Sequence, residues 1–478
     1  MKGEMATNKS LTAGDSLAGI MIDGVEGTPY VVGNLLFNEG RGIRVEVPYF
    51  EYARTGQFDS AQKWFSERIP PKNVLFVSND GILILFDCRF SGYSAKPGLG
   101  IALGKIAPNE VVLKQREGSL GDPLTVKTLR SHFDGLAEWT NFSSIKDEQV
   151  VDKSNLVKKV VVEIETTQSI TWWQGAAKMT LSINWSAKSP GGGYLVDEVV
   201  YLESTFRDPR PISAHLDEHR KVKTLVALVH GAMVYYRKHF VRDKRFPERA
   251  MSGKLRHFSF CELISRDTVQ EYKRAKPDSK MLSEPLASAG EVGGPALRDW
   301  ANKFKDWERF IYPALSSMNA EEVGLENSVV NASMAIEAAG NIIGSVGGED
   351  ETYSRSNRPT TSTFAFRCVS ITGFPCLGIA NSRIALAQAM AHNYNTIKHY
   401  DRGQFPKTEE TLLVQKVATL VVRLLALDLA GVDAEQDHFS FRKEQECSNI
   451  CSSFDAFGLF IDHRGKFVAR GQVSLLKP

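Results

Sequence analysis

The stretch Met390–Phe405, MAHNYNTIKHYDRGQF, collects titratable and amide side chains at spacings that make them neighbours. If it is helical, each residue turns by about 100°, so Gln388, His392, Asn395, His399 and Arg402 fall on one stripe at intervals of three and four. Leu386, Met390, Tyr394 and Ile397 then fall on the opposite side and should face a core. Imidazole suits proton transfer near neutral pH, and a nearby cation stabilises charge on a phosphoryl oxygen. Lys398, Asp401 and Arg402 surround His399 in sequence, and a pair of histidines can divide acid and base roles. The same stripe also reads as a solvated helix face that happens to carry histidines.

Other residues compete for attention. Glu337 sits among small and apolar residues in NASMAIEAAG, on a helix expected to pack near the motif helix, where a carboxylate needs a partner. Cys447 and Cys451 lie one helical turn apart, and His438, Cys368 or Cys376 could complete a zinc site, but the spacing departs from the Cys-x-x-Cys knuckle and apolar packing is the favoured reading. From His219 to Arg249 cations and aromatics are interleaved, a pattern that can grip RNA, although an amphipathic helix end is favoured. Arg210 and His215 in RPISAH look coincidental. Trp172 and Trp173 in SITWWQG suit a strand with one ring inward and one outward. There is no His-Glu-x-x-His, no carboxylate cluster at ligand spacing and no phosphate-binding Gly loop, so no cofactor is expected and a metal-dependent hydrolase has little support.

The elements that must position these residues fall into two kinds. The chain has 478 residues, 58 Lys and Arg against 56 Asp and Glu, and a net charge of +2, which argues against a uniformly basic nucleic-acid coat and favours two domains or more. Six cysteines are too few for a disulfide framework, the N-terminus has no signal-like apolar region, and no segment is long enough to span a membrane, so a cytoplasmic protein is expected. Residues 1–20 are expected to be disordered. Residues 21–272 read as a β-rich, antiparallel, sandwich-like or barrel-like domain with the helix Ser213–Tyr235 inserted. Residues 273–297, rich in Pro, Gly and Ser, read as a linker. Residues 298–437 read as a helical bundle, giving an α+β chain. Its helices should be Leu297–Met318, Gly324–Val346, Ser382–Tyr400 and Thr408–Gly431, with the polar run GGEDETYSRSNRPTTST as a long exposed loop. Residues 438–478 form an extension with a small hairpin.

The last two hundred residues resemble a HEPN domain, with YNTIKHYDRG in the place of the family's RN…H motif. The first half resembles the N-terminal domain of the ApeA family of anti-phage defence proteins, through FDGLAEWTNFSSI and HLDEHRKVKTLVALVHG. The resemblance implies a metal-independent endoribonuclease that promotes attack of a ribose 2′-hydroxyl on the adjacent phosphate and causes abortive infection. It implies His399 as general acid or base and Asn395 as the motif's polar residue. It also implies a homodimer with a composite cleft, RNA as substrate, and a phage-derived trigger acting on the N-terminal domain. Where the family pattern has an arginine, this chain has Tyr394, Asn393 and His392. Either Lys398 and Arg402 replace that cation, or His392 acts as a second imidazole, or the chain is a non-catalytic dimeric sensor or RNA-binding protein.

Overall fold

The computed structural model describes residues 10–26, 30–38, 41–51, 59–95, 100–153, 155–165, 168–189, 193, 195–250, 252–319, 323–399, 401 and 403–471. Its helices are α1 (Asp59–Ser66), α2 (Leu136–Thr140), α3 (Ile212–His230), α4 (Ser279–Leu282), α5 (Ala289–Lys303), α6 (Glu308–Ser317), α7 (Leu325–Ile343), α8 (Thr361–Ile371), α9 (Arg383–Lys398), α10 (Thr408–Ala430) and α11 (Asp437–Phe457). No described helix is long and apolar enough to cross a membrane.

The chain is α+β: a large antiparallel sheet comes first and the helices follow. Among the described residues fourteen strands pair in one sheet, with Ser169–Gln174 at one edge and Arg89–Ala95 at the other. Alternation explains the strands: Val31–Asn38 buries Val31, Leu35 and Phe37 on one face, and Gly42–Phe50 buries Val45, Val47 and Tyr49. The short strand Glu110–Val112 joins two lobes by pairing with Gly81–Phe86 on one side and Cys261–Ser265 on the other. The first lobe closes over Trp64 and Phe65 of α1. The second lobe is covered by α3, whose Leu216, Val222, Leu225, Val226 and Val229 are buried.

Four expectations need correction. The first strand, Ser16–Ile22, begins inside the segment expected to be disordered, and its pairing with strands Val31–Asn38 and Val74–Ser78 satisfies its backbone. The expected linker at 273–297 is packed structure. Leu282, Leu286, Ala287, Ala289, Val292 and Leu297 are buried there, and Ser288 and Glu291 form a capping box that starts α5. Gly294 approaches the edge strand so closely that a Cβ would lie 3.2 Å from the Thr171 carbonyl oxygen. One apolar cluster therefore runs from Phe133, Trp139 and Leu202 of the sheet through Trp300 to Val421 and Leu425 of the bundle.

The third correction concerns Leu297–Met318, which is broken into α5 and α6 across Phe304–Trp307. The fourth concerns the polar run expected as a long loop: it contains the start of α8 and is anchored by a buried ion pair. Arg367 donates from Nε to Glu349 Oε2 and from Nη2 to Glu349 Oε1, each at 2.7 Å, and the Tyr353 hydroxyl adds a bond at 2.6 Å. These bonds, the Arg367 guanidinium first, hold the Glu349 carboxyl down at about 2. The C-terminal strands Leu459–Ile461 and Phe467–Ala469 pair as a hairpin behind α11.

Beneath α3 runs a chain of polar side chains with no water access. His215 Nε2 lies 3.1 Å from the Val126 carbonyl, which can only accept, so that nitrogen carries the proton. Each later step follows: Ser204 donates to His215 Nδ1 (2.7 Å), His219 Nε2 donates to Ser204 (2.8 Å), and Ser131 donates to His219 Nδ1 (2.7 Å). His239 Nδ1 then donates to Ser131 (2.7 Å), and Thr268 donates to His239 Nε2 (2.8 Å). Burial lowers all three imidazoles, His215 to about 4, His239 to about 3, and His219 well below the usual range. The network ties α3 to strands Thr125–Phe133, Leu195–Pro211 and Tyr236–Arg242 and leaves the imidazoles neutral.

Candidate active site

The motif helix is α9. Ser382 caps its start by accepting from the Ala385 N–H at 3.1 Å, and Leu386, Met390 and Tyr394 are buried as the periodicity requires. The helix ends earlier than expected. His399 is its C-cap residue at φ −117°, ψ 114°, tied by its N–H to the Asn395 carbonyl at 2.9 Å, so it leaves the helical stripe instead of extending it. Arg402 lies outside the described residues.

Three of the singled-out residues meet on the other side of α9. Lys398 Nζ donates to the Tyr394 hydroxyl at 3.0 Å, and that hydroxyl donates to Glu337 Oε2 of α7 at 3.4 Å. Thr361, at the start of α8, donates to Glu337 Oε1 at 2.7 Å. The Tyr394 hydrogen bond holds the Lys398 ammonium above its usual range. Lys398, Tyr394 and Glu337 open into a cavity of about 540 Å³, whose wall also includes Arg309, Pro313 and Met334.

Arg309 is the residue that sequence reasoning missed. It is exposed on α6, has no ion-pair or hydrogen-bond partner among the described residues, and gives the cavity a second cation. Phe310, Ile311 and Ala314 turn inward on α6, which fixes Arg309 and Pro313 together on the flank, but nothing local in the sequence says which helix that flank meets.

The two histidines are divided from this cluster. His392 is exposed and stands near Glu410 in the first turn of α10, whose carboxyl is raised by burial against the pull of Lys407 and His392. His399 is half-buried and follows Lys398 at the cavity end of the helix. Asn395 is half-buried and Asp401 exposed, and neither lines the cavity. Between them, Asn393 is 2% exposed and donates to Thr411 Oγ1 at 3.2 Å, fixing α9 to the start of α10, while its Oδ1 has no partner.

The remaining candidates have structural explanations. Cys447 and Cys451 belong to no cluster of three or more possible metal ligands among the described residues, burial raises the Cys447 thiol to about 12, and His438 Nδ1 faces Glu291 at 3.0 Å. Three cations of the basic segment are held by carboxylates, Lys223 by Glu271, Arg237 by Asp134 and Arg245 by Asp243. His215 belongs to the buried network. Trp172 is buried and Trp173 is 63% exposed, the alternation expected of a strand.

The match to known families covers the sheet and the joint to the bundle. Residues 25–300, more than half of the chain, match the model of ApeA N-terminal domain 1. The chain belongs to the ApeA family. Its assigned region ends inside α5, the helix that carries the sheet's core into the bundle. The ApeA assignment agrees with the anti-phage defence family its sequence resembles. No curated protein and no solved structure matches the chain.

Proposed function

We propose that this ApeA-family chain is a cytoplasmic anti-phage effector whose helical half works as a HEPN-type, metal-independent endoribonuclease, with RNA cleavage leading to abortive infection. The observation that carries the reading is the cavity at the end of α9, where Lys398 and Arg309 flank the Tyr394–Glu337 pair and His399 follows in the chain. Two cations can hold a phosphodiester, and Glu337, through Tyr394, fixes the direction in which Lys398 points. His399 supplies the imidazole that removes or returns a proton at the ribose 2′-hydroxyl or the leaving oxygen. Arg309 takes the charge role that the family motif gives to an arginine before the histidine. A homodimer that sets two such cavities side by side would form one composite cleft.

A second reading is a catalytically inactive, dimeric sensor or RNA-binding protein. The placement of His392 beside Glu410, away from the cavity, favours it, because only one motif imidazole then stands at the cavity end of the helix. Incubating purified protein with total cellular RNA in EDTA, with and without phage lysate, separates the two. Cleavage by wild type that is lost in His399→Ala supports the nuclease; intact RNA under both conditions supports the sensor.

A further inference from the structure

A second, larger cavity of about 720 Å³ lies where the family domain meets the bundle, among the end of α3, the segment Arg274–Met281, and the helices α10 and α11. Its wall carries six cations: Arg274, Lys276, Lys280, Lys416, Arg423 and Arg442. Only three carboxylates, Asp278, Glu284 and Glu446, share it. In a chain whose charges nearly cancel, this is a local positive surplus inside a concave site, the geometry that focuses field on an anion.

The carboxylates are already engaged. Asp278 accepts from the Lys280 N–H at 3.0 Å, capping α4; Glu284 accepts from Arg442 Nη2 at 3.0 Å; Glu446 accepts from Arg423 Nη1 at 3.2 Å. Lys276, Lys280 and Lys416 have no carboxylate partner among the described residues, and Lys416 donates only to Ser453.

The two guanidiniums are built into the wall, with side chains 8% and 9% exposed. Arg423 is locked by donating from Nε to the Leu228 carbonyl (3.1 Å) and from Nη2 to the Val229 carbonyl (2.9 Å) at the end of α3. Gly231, at φ 71°, ends that helix, and a Cβ there would lie 2.9 Å from Arg423 Cζ. Arg442 bonds to Glu284 and Gln445 through its terminal nitrogens, yet its Nε is buried without a partner. Tyr235 supplies an aromatic wall to the same cavity.

We propose that this cavity binds a nucleoside polyphosphate, with its phosphates on Lys276, Lys280 and Lys416 and its base against Tyr235. The volume is in the range of about 300–1,000 Å³ typical of small-molecule sites. Such a ligand bridges the family domain and α10, the helix whose first turn holds Asn393 of α9 through Thr411. It thus links the cavity to the motif helix by one rigid element. The inference stands on this cavity alone and does not depend on ribonuclease activity.

Calorimetric titration of the purified full chain with ATP and GTP tests it, with inorganic triphosphate and a short single-stranded RNA as comparators. ATP or GTP binds the wild type. The exposed pair Lys276→Glu/Lys280→Glu, which leaves the fold intact by circular dichroism, weakens that binding by about tenfold or more. Tyr235→Leu weakens nucleotide binding by about fivefold or more and leaves triphosphate binding unchanged. No nucleotide binding by wild type, undiminished binding by the double variant, triphosphate binding as tight as ATP, or preference for the RNA would each overturn the proposal.

Discussion

Lowering the pH from 7.5 to 5.0 should destabilise this protein through its buried histidines. His215 and His230 are held at about 4 and His239 at about 3, in each case chiefly by burial, whereas an unfolded chain returns them to about 6.5. The folded state refuses a proton that the unfolded state accepts, so these groups contribute stability above about pH 6.5, and the contribution is lost as pH falls toward 4. At pH 5 each has lost about 2 kcal/mol, about 6 kcal/mol together, while Glu110, whose carboxyl burial raises to about 8, returns about 3 kcal/mol over the same interval, so the net loss is about 3 kcal/mol, a large part of the stability of an ordinary domain. His219, shifted in the same direction as the other histidines, adds to the loss. Urea unfolding at pH 7.5, 6.0 and 5.0 reads the effect as a falling midpoint. A midpoint that holds or rises between pH 7.5 and 5.0 would refute the neutral, hydrogen-bonded network. Imidazole carbon shifts of these histidines should likewise stay at their neutral values down to pH 5.

Arg367→Met strands the Glu349 carboxylate in a buried site and should cost about 3–5 kcal/mol by urea unfolding, against under 1 kcal/mol for a substitution at the exposed Arg298–Asp299 pair. Ser288→Ala removes half of the capping box of α5 and should cost about 1 kcal/mol in the same assay. Gly340→Val adds a branched side chain whose Cβ would lie 2.6 Å from Phe364 Cα, so α7 and α8 must separate at a cost of about 1–3 kcal/mol or more, read as a lower melting temperature.

Local periodicity was enough to reveal the antiparallel β-rich half, the core face of α9 with Leu386, Met390 and Tyr394, and the in-and-out tryptophans. What escaped it depends on distant partners. Gly, Pro and Ser at 284–295 resemble a linker until Gly294 is seen to meet the backbone at Thr171, where only a small residue fits. The run around Glu349 looks like a solvated loop because its charge is cancelled by Arg367, eighteen residues on. His399 departs from the stripe because α9 ends at Lys398, and end positions are the least determined by propensity. Arg309 joins Lys398 only through the packing of α6 and α7 beside α9, and the His–Ser network draws on residues from Ser131 to Thr268 that no short window contains.

The measurement that bears most directly on the proposed activity is cleavage of a defined single-stranded RNA in EDTA by wild type, Arg309→Ala, Lys398→Ala and His399→Ala. Wild type is expected to cleave it, leaving 2′,3′-cyclic phosphate ends, with a loss of about 100-fold or more in each variant. Wild-type cleavage that Arg309→Ala and His399→Ala leave unchanged would contradict it.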